Sequence, residues 1–248
     1  MFIAANWKMN LDKRLILEFS NNLNDFKFSN QVEACIFPPM TYVDYLNQLV
    51  SKLPISVGGQ NCHYKNFGAF TGEVSPKFLQ DTGCEYVIVG HSERRTFNNE
   101  NNNEIKLRAQ SAVDTNLKVI LCVGENLSDR KNGHASEFVE KQLLECLPNN
   151  FENSLIAYEP IWSIGTGRIP NYYEINEMHE NIKKIILQTI NKEIKVLYGG
   201  SVNLANINNI LDIPNVDGVL VGGASLKAKD FLAIYTAAVK HLQKNHIT

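Results

Sequence analysis

Tyr86-Val87-Ile88-Val89-Gly90-His91-Ser92-Glu93 holds a whole strand-to-helix passage in eight residues. Tyr86 to Val89 is a continuous apolar run rich in β-branched side chains. Such a run suits a strand covered on both faces, the usual state of a parallel sheet. Gly90 interrupts the run, and the stretch from Ser92 reads as the opening of a helix. His91 therefore stands at the end of a strand.

The same pattern recurs along the chain. Comparable runs are Phe2–Ala5, Ala34–Phe37, Ile55–Val57, Val119–Val123, Leu155–Tyr158, Val196–Tyr198 and Val219–Val221, which makes eight in all. Amphipathic stretches lie between them. Leu15, Phe19, Leu23 and Phe26 fall about one helical turn apart. So do Val43, Leu46, Val50 and Leu53, introduced by Thr41-x-x-Asp44, which reads as a capping box. Later stretches carry Val139, Leu143 and Cys146, then Ile175, Met178, Ile182 and Ile186, and finally Phe231, Tyr235, Ala238 and Leu242. Each can bury one face against a sheet.

Eight strands alternating with helices make parallel βα units with right-handed crossovers. An open doubly wound sheet and a closed (β/α)8 barrel both fit, and eight repeats in 248 residues favour the α/β barrel. No linker rich in Pro, Gly or Ser divides the chain, so residues 1–248 read as one barrel domain. Asn98-Asn99-Glu100-Asn101-Asn102-Asn103 is short enough to be a polar loop or a helix start.

Composition narrows the partners. Twenty-four Lys and Arg against 26 Asp and Glu leave a net charge of −2, so no broad field exists to hold nucleic acid or an acidic membrane. Any anion site must be local. No apolar run reaches the roughly 18 residues of a membrane-spanning helix. Met1 leads straight into Phe2-Ile3-Ala4-Ala5 with no basic segment and no long apolar one, which argues against a cleaved leader. Cys35, Cys62, Cys84, Cys122 and Cys146 are odd in number and form no Cys-x-x-Cys pair. Free buried thiols in a reducing cytoplasm are the expectation.

A barrel of this kind carries its reactive groups at the C-terminal ends of its strands. Asn6-Trp7-Lys8 follows the first run, His91 the fourth, Glu159-Pro160 the sixth, Gly199-Gly200-Ser201 the seventh and Gly222-Gly223-Ala224-Ser225 the eighth. A Gly-Gly turn alone is a tight βα turn. Two neighbouring ones on the last two strands, feeding helices, suit a phosphate held by backbone N–H groups. A lone Glu is usually a solvated residue or an ion-pair partner. Glu159, flanked by Pro160, Ile161 and Trp162, is instead partly desolvated and suited to taking a proton from carbon. A lone His is usually structural, but a helix start beside His91 disfavours a positive imidazole. A neutral ring there can donate a hydrogen bond to a developing oxyanion. Lys8 at a barrel mouth would balance anionic charge. Asn6 would hold Lys8 or donate a bond itself. Glu93, Arg94 and Arg95 read as ion-pair partners with structural roles. The segment from Pro160 to Pro170 reads as a flap that excludes water.

These motifs resemble the triosephosphate isomerase family. The matching segments are Asn6-Trp7-Lys8-Met9-Asn10, Gly68-Ala69-Phe70-Thr71-Gly72-Glu73 and Gly90-His91-Ser92-Glu93-Arg94-Arg95. They continue with Tyr158-Glu159-Pro160, Ile164-Gly165-Thr166-Gly167, Tyr198-Gly199-Gly200-Ser201-Val202, Asp217-Gly218 and Leu220-Val221-Gly222-Gly223-Ala224-Ser225-Leu226. They keep the family's order across nearly the whole chain. The resemblance implies interconversion of dihydroxyacetone phosphate and glyceraldehyde 3-phosphate with neither cofactor nor metal. It implies Glu159 as general base and His91 as neutral electrophile, a pairing known for this family. Lys8 and Asn6 match substrate-binding positions, and Gly165, Ser201, Gly222 and Gly223 match the phosphate grip. The family is usually a homodimer, and Gln60 to Ser75, with Thr71 at its tip, matches the loop that enters the neighbouring subunit. Cys122, Glu125 and Glu100 match supporting positions. Ala4-Ala5 and Arg168-Ile169-Pro170 depart from the family's commoner residues. Two other readings are open to a barrel: a different phosphosugar enzyme, and a catalytically silent barrel serving as a binding or scaffold protein. A Schiff-base lysine or paired aspartates would mark the first, and loss of Glu159 the second.

Overall fold

The computed structural model describes residues 1–164 and 170–245. Eight strands close on themselves in chain order: β1 (Phe2–Asn6), β2 (Glu33–Phe37), β3 (Ser56–Gly59), β4 (Tyr86–Val89), β5 (Lys118–Val123), β6 (Leu155–Tyr158), β7 (Val196–Tyr198) and β8 (Gly218–Val221). All neighbours are parallel, and β1 closes the ring by pairing Phe2 with Gly218 through Ala5 with Val221. This is the expected (β/α)8 barrel.

Alternation along the strands sorts side chains into two cores. Phe2, Ala4, Cys35, Phe37, Tyr86, Ile88, Ile120, Cys122, Ala157, Leu197 and Leu220 belong to one buried cluster that fills the barrel interior. Their neighbours Ile3, Ala5, Ala34, Ile36, Val87 and Val89 belong to the second cluster, shared with the surrounding helices. Large and small side chains both fill this cluster, Phe2 and Phe37 together with Ala4 and Ala157. Phe2 meets Tyr86 edge-on at 5.1 Å.

Third-strand glycines extend β3 beyond the apolar run read from the sequence. A Cβ on Gly58 would stand 2.3 Å from the Phe37 ring and 2.8 Å from the Tyr86 carbonyl. The volume that a strand side chain would occupy is already taken by Phe37.

Two helix expectations need correction. Thr41 and Asp44 form no capping box: a 3-10 turn spans Met40–Tyr42, and the helix Val43–Val50 starts at Tyr42 without a side-chain cap. Asp44 instead accepts from Gln48 one turn on. The first helix, Lys13–Asn21, stops before Leu23 and Phe26, although Leu23 is fully buried below it. Capping boxes occur at Asn101–Glu104 and Asn171–Glu174, where each asparagine accepts from the glutamate's N–H and each glutamate accepts in return. The asparagine-rich patch is thus a helix start. All five cysteines are free and buried. Among the described residues no helix is long and apolar enough to cross a membrane.

Candidate active site

A cleft of about 680 Å³ opens at the C-terminal ends of the strands and is lined by Asn6, Lys8, His91, Glu159, Ser201, Gly222 and Gly223, among others. Residues from five strand ends therefore meet in one place. Gly165 lies outside the described residues.

His91 and Glu159 form the floor. His91 Nε2 lies 3.0 Å from Glu159 Oε1, and both side chains are almost wholly buried. His91 is also the N-cap of the helix Ser92–Phe97, where its Nδ1 accepts the Glu93 N–H at 3.2 Å. A nitrogen that accepts a backbone N–H carries no proton. The ring hydrogen of a neutral His91 therefore sits on Nε2, where it donates to Glu159. Glu159 takes two further bonds, from Ser92 N–H at 2.9 Å to Oε2 and from Ser92 Oγ at 3.3 Å to Oε1.

Lys8 enters from β1 in an uncommon backbone conformation, φ +52°. Its N–H donates to Asn6 Oδ1 at 3.0 Å, and Gln60 Nε2 donates to its carbonyl at 2.8 Å. These bonds hold the backbone in a region that a lysine rarely occupies. Its ammonium pairs with Glu93 at 2.5 Å. Glu93 is thus an ion-pair partner, as read from the sequence, and it also lines the cleft. The only signal of that placement was its position two residues after His91.

The glycine turns differ from each other. Gly223–Ser225 begins a 3-10 turn directly after Gly222. Ser225 Oγ donates back to the Gly222 carbonyl at 2.7 Å, and Trp7 Nε1 donates to the Ser225 carbonyl at 3.2 Å. Nothing would meet a Cβ on Gly223 within 4 Å, and one on Gly222 would approach only Lys8, at 3.4 Å. These backbones therefore face open space. Gly199-Gly200-Ser201 does not feed a helix as expected. Asn203 Oδ1 accepts from Ala205 N–H and Asn206 N–H to close an intervening turn, and the helix begins at Ile207. Ser201 Oγ donates to the Ser163 carbonyl at 2.7 Å, tying this turn to the start of the flap.

Glu125 anchors that start from below. Its fully buried Oε1 accepts from Trp162 Nε1 at 2.8 Å, Arg130 Nε at 2.9 Å and Tyr158 OH at 3.1 Å. Glu100 gathers Arg94, Arg108 and Asn61 behind the cleft. Among the described residues no cluster of three or more His, Cys, Asp or Glu is arranged to hold a metal ion.

A model of the triosephosphate isomerase family matches residues 1–238. The chain belongs to the triosephosphate isomerase family. It is 45% identical over 224 residues to the triosephosphate isomerase of Wolbachia sp. subsp. Brugia malayi, covering 90% of this chain and 91% of that protein. It is 40% identical over 242 residues to that of Rhizobium meliloti, covering 95% and 94%. The Francisella tularensis subsp. mediasiatica protein is 38% identical over 248 residues, covering 96% and 97%. Against this triosephosphate isomerase background, the loop from Gln60 to Ser75 is informative. Residues 65–73 are all exposed, including Phe67 and Phe70, yet the loop is closed at its base by His63 N–H donating to the Val74 carbonyl at 2.7 Å. Phe70 packs on the His63 ring at 4.3 Å.

Proposed function

We propose that this chain interconverts dihydroxyacetone phosphate and D-glyceraldehyde 3-phosphate, the aldose–ketose step that links the trioses in glycolysis and gluconeogenesis. The observation that carries this reading is the buried His91–Glu159 pair at the floor of the cleft, with Nε2–H as the donor.

Glu159 takes a proton from the carbon beside the substrate carbonyl. The electron pair of that C–H bond moves into a C=C bond, and the carbonyl oxygen becomes an enediolate oxygen. His91 donates Nε2–H to that oxygen, stabilising the charge as it develops. His91 Nε2 gives its hydrogen to that oxygen and takes the hydroxyl hydrogen of the neighbouring oxygen, which becomes the new carbonyl as Glu159 returns its proton to the adjacent carbon. His91 and Ser92 engage both carboxylate oxygens, so substrate must displace some of those bonds. Lys8 supplies a positive charge at the mouth and Asn6 holds its backbone. The backbone N–H groups at Gly222 and Gly223, which line the cleft, take the phosphate with Ser201 and Gly165. No step needs a cofactor or metal. Closure of the segment from Pro160 to Pro170 would exclude water, which favours proton return over loss of phosphate from the intermediate.

The same reading makes the protein a single-domain cytoplasmic homodimer, with the loop around Thr71 reaching into the neighbouring subunit. The exposed Phe67 and Phe70 support that assembly.

The test is isomerase turnover of glyceraldehyde 3-phosphate by the purified protein and by Glu159→Asp. Removing one methylene withdraws the base from the substrate carbon while leaving the phosphate turns intact. The expected loss in kcat is about 100-fold or more, with sedimentation giving a dimer for both. Wild-type inactivity in a folded dimer would overturn the reaction, and equal rates would overturn Glu159 as the base.

A further inference from the structure

Arg95 lies outside the cleft, one turn along the helix Ser92–Phe97, and two of its nitrogens are directed at the frame of the site. Its Nε donates to the Gly90 carbonyl at 2.8 Å. Its Nη2 donates to the Cys122 carbonyl at 3.0 Å, and also meets Cys146 Sγ at 3.7 Å. Its Nη1 donates to Asn102 Oδ1 at 2.6 Å. Asn102 Nδ2 donates in turn to Glu145 at 2.7 Å. The two carbonyls belong to different strands. Gly90 follows β4, and its C=O is half of the peptide bond that leads into His91. Cys122 is in β5, inside the barrel, paired with Ala157 of β6 two residues before Glu159.

Gly90 has φ +73°, and a Cβ there would meet Ile105 at 3.0 Å and Arg95 Nη2 at 3.2 Å. The guanidinium thus occupies the space beside a peptide whose orientation only glycine holds comfortably. Planar, forked donors can bond two carbonyls at a fixed angle, and a single ammonium cannot.

We propose that Arg95 is a positioning residue for the isomerisation: its fork fixes the Gly90–His91 peptide against β5 and so sets the 3.0 Å approach of His91 Nε2 to Glu159. This inference rests on the isomerase reading. Arg95 touches no substrate. It acts through the direction in which His91 leaves the strand, and reacting groups misplaced by about 1 Å lose on the order of 100-fold in rate.

Wild-type turnover is measured first, because its absence would fail the isomerase reading itself. Arg95→Lys keeps the charge and most of the stem but loses the fork. The expected result is a fall in kcat of about tenfold or more, KM for glyceraldehyde 3-phosphate within about twofold, an unchanged inhibition constant for inorganic phosphate, and cooperative thermal unfolding. Asn102→Ala, which frees only the outward arm, keeps wild-type kcat. Arg95→Ala recovers part of its kcat in millimolar guanidinium chloride, whereas Glu159→Asp does not. The inference is overturned by wild-type kcat in Arg95→Lys, by a loss confined to KM, by failure of guanidinium to restore Arg95→Ala, or by loss of cooperative folding in the Lys variant. The last outcome would make Arg95 a support of the fold rather than of the site.

Discussion

His179 gives the sharpest stability prediction. It lies on the helix Tyr172–Ile190 and is completely buried. Nδ1 is 3.2 Å from the Asn215 carbonyl, and Nε2 has no hydrogen-bond partner among the described residues. The ring stands edge-on to Tyr158 at 5.8 Å and beside Tyr198 at 6.5 Å. Burial pushes its pKa down from 6.5 to about 3; the Asn215 carbonyl opposes this shift, and the nearby Lys183 charge adds to it. The imidazole therefore stays neutral in the fold across the range in which it protonates in the unfolded chain. Its contribution to stability is complete above pH 6.5 and is lost as pH falls from 6.5 towards 3, because only the unfolded state takes up the proton. At pH 5 the difference is about 1.5 pH units, or about 2 kcal/mol. Urea unfolding of wild type and His179→Gln at pH 7.5 and pH 5.0, at one protein concentration, measures it. Wild type should lose about 2 kcal/mol more than the variant between the two pH values. Equal losses would refute the reasoning, as would an assigned His179 imidazole resonance of the folded protein that titrates above pH 5.

Gly222→Ala adds a methyl 3.4 Å from Lys8 Cε, a contact the fold tolerates, on a backbone that faces the open cleft. Thermal unfolding should stay near the wild-type midpoint while KM rises about tenfold, the effect of about 1.4 kcal/mol of lost binding. Unchanged KM would remove this turn from the phosphate site. Glu125→Gln breaks a fully buried carboxylate that accepts from three donors and leaves Arg130 without its ion-pair partner. Unfolding in urea should show a loss of about 3 kcal/mol; a loss below 1 kcal/mol would mean that the cluster contributes little beyond packing.

Much of this architecture was legible because parallel strands covered on both faces leave unbroken apolar runs. Tyr86–Val89, Leu155–Tyr158 and Val196–Tyr198 coincide with β4, β6 and β7. β3 was read short because Gly58 and Gly59 carry no strand signature. Their reason is the Phe37 ring and, for Gly59, Leu79, both distant in sequence. Local patterns misled where the backbone starts a helix in another register. Thr41 lies inside the 3-10 turn and the helix starts from Tyr42, so Thr41 and Asp44 are not in box positions, whereas Asn101 with Glu104 is at a helix start and closes one. At the site, residue types at strand ends sufficed to bring Asn6, Lys8, His91, Glu159, Ser201, Gly222 and Gly223 to one cleft. Glu93 and Arg95 share one short helix, and the sequence offers no way to tell which faces the cleft and which grips the strands behind it. That distinction depends on contacts with residues 85 positions away for Glu93 and 27 for Arg95.

The left-handed backbone at Lys8 sets two selective pressures against each other at a single codon. Holding a lysine at φ +52° costs about 1–2 kcal/mol that glycine would not incur and asparagine would incur less. A population of variants screened for heat tolerance alone should drift towards Gly or Asn at this position and lose the ammonium at the barrel mouth. One screened for turnover should hold the lysine and recover the lost stability elsewhere in the barrel. The frequency of lysine at position 8 after each regime would record which property the screen had rewarded.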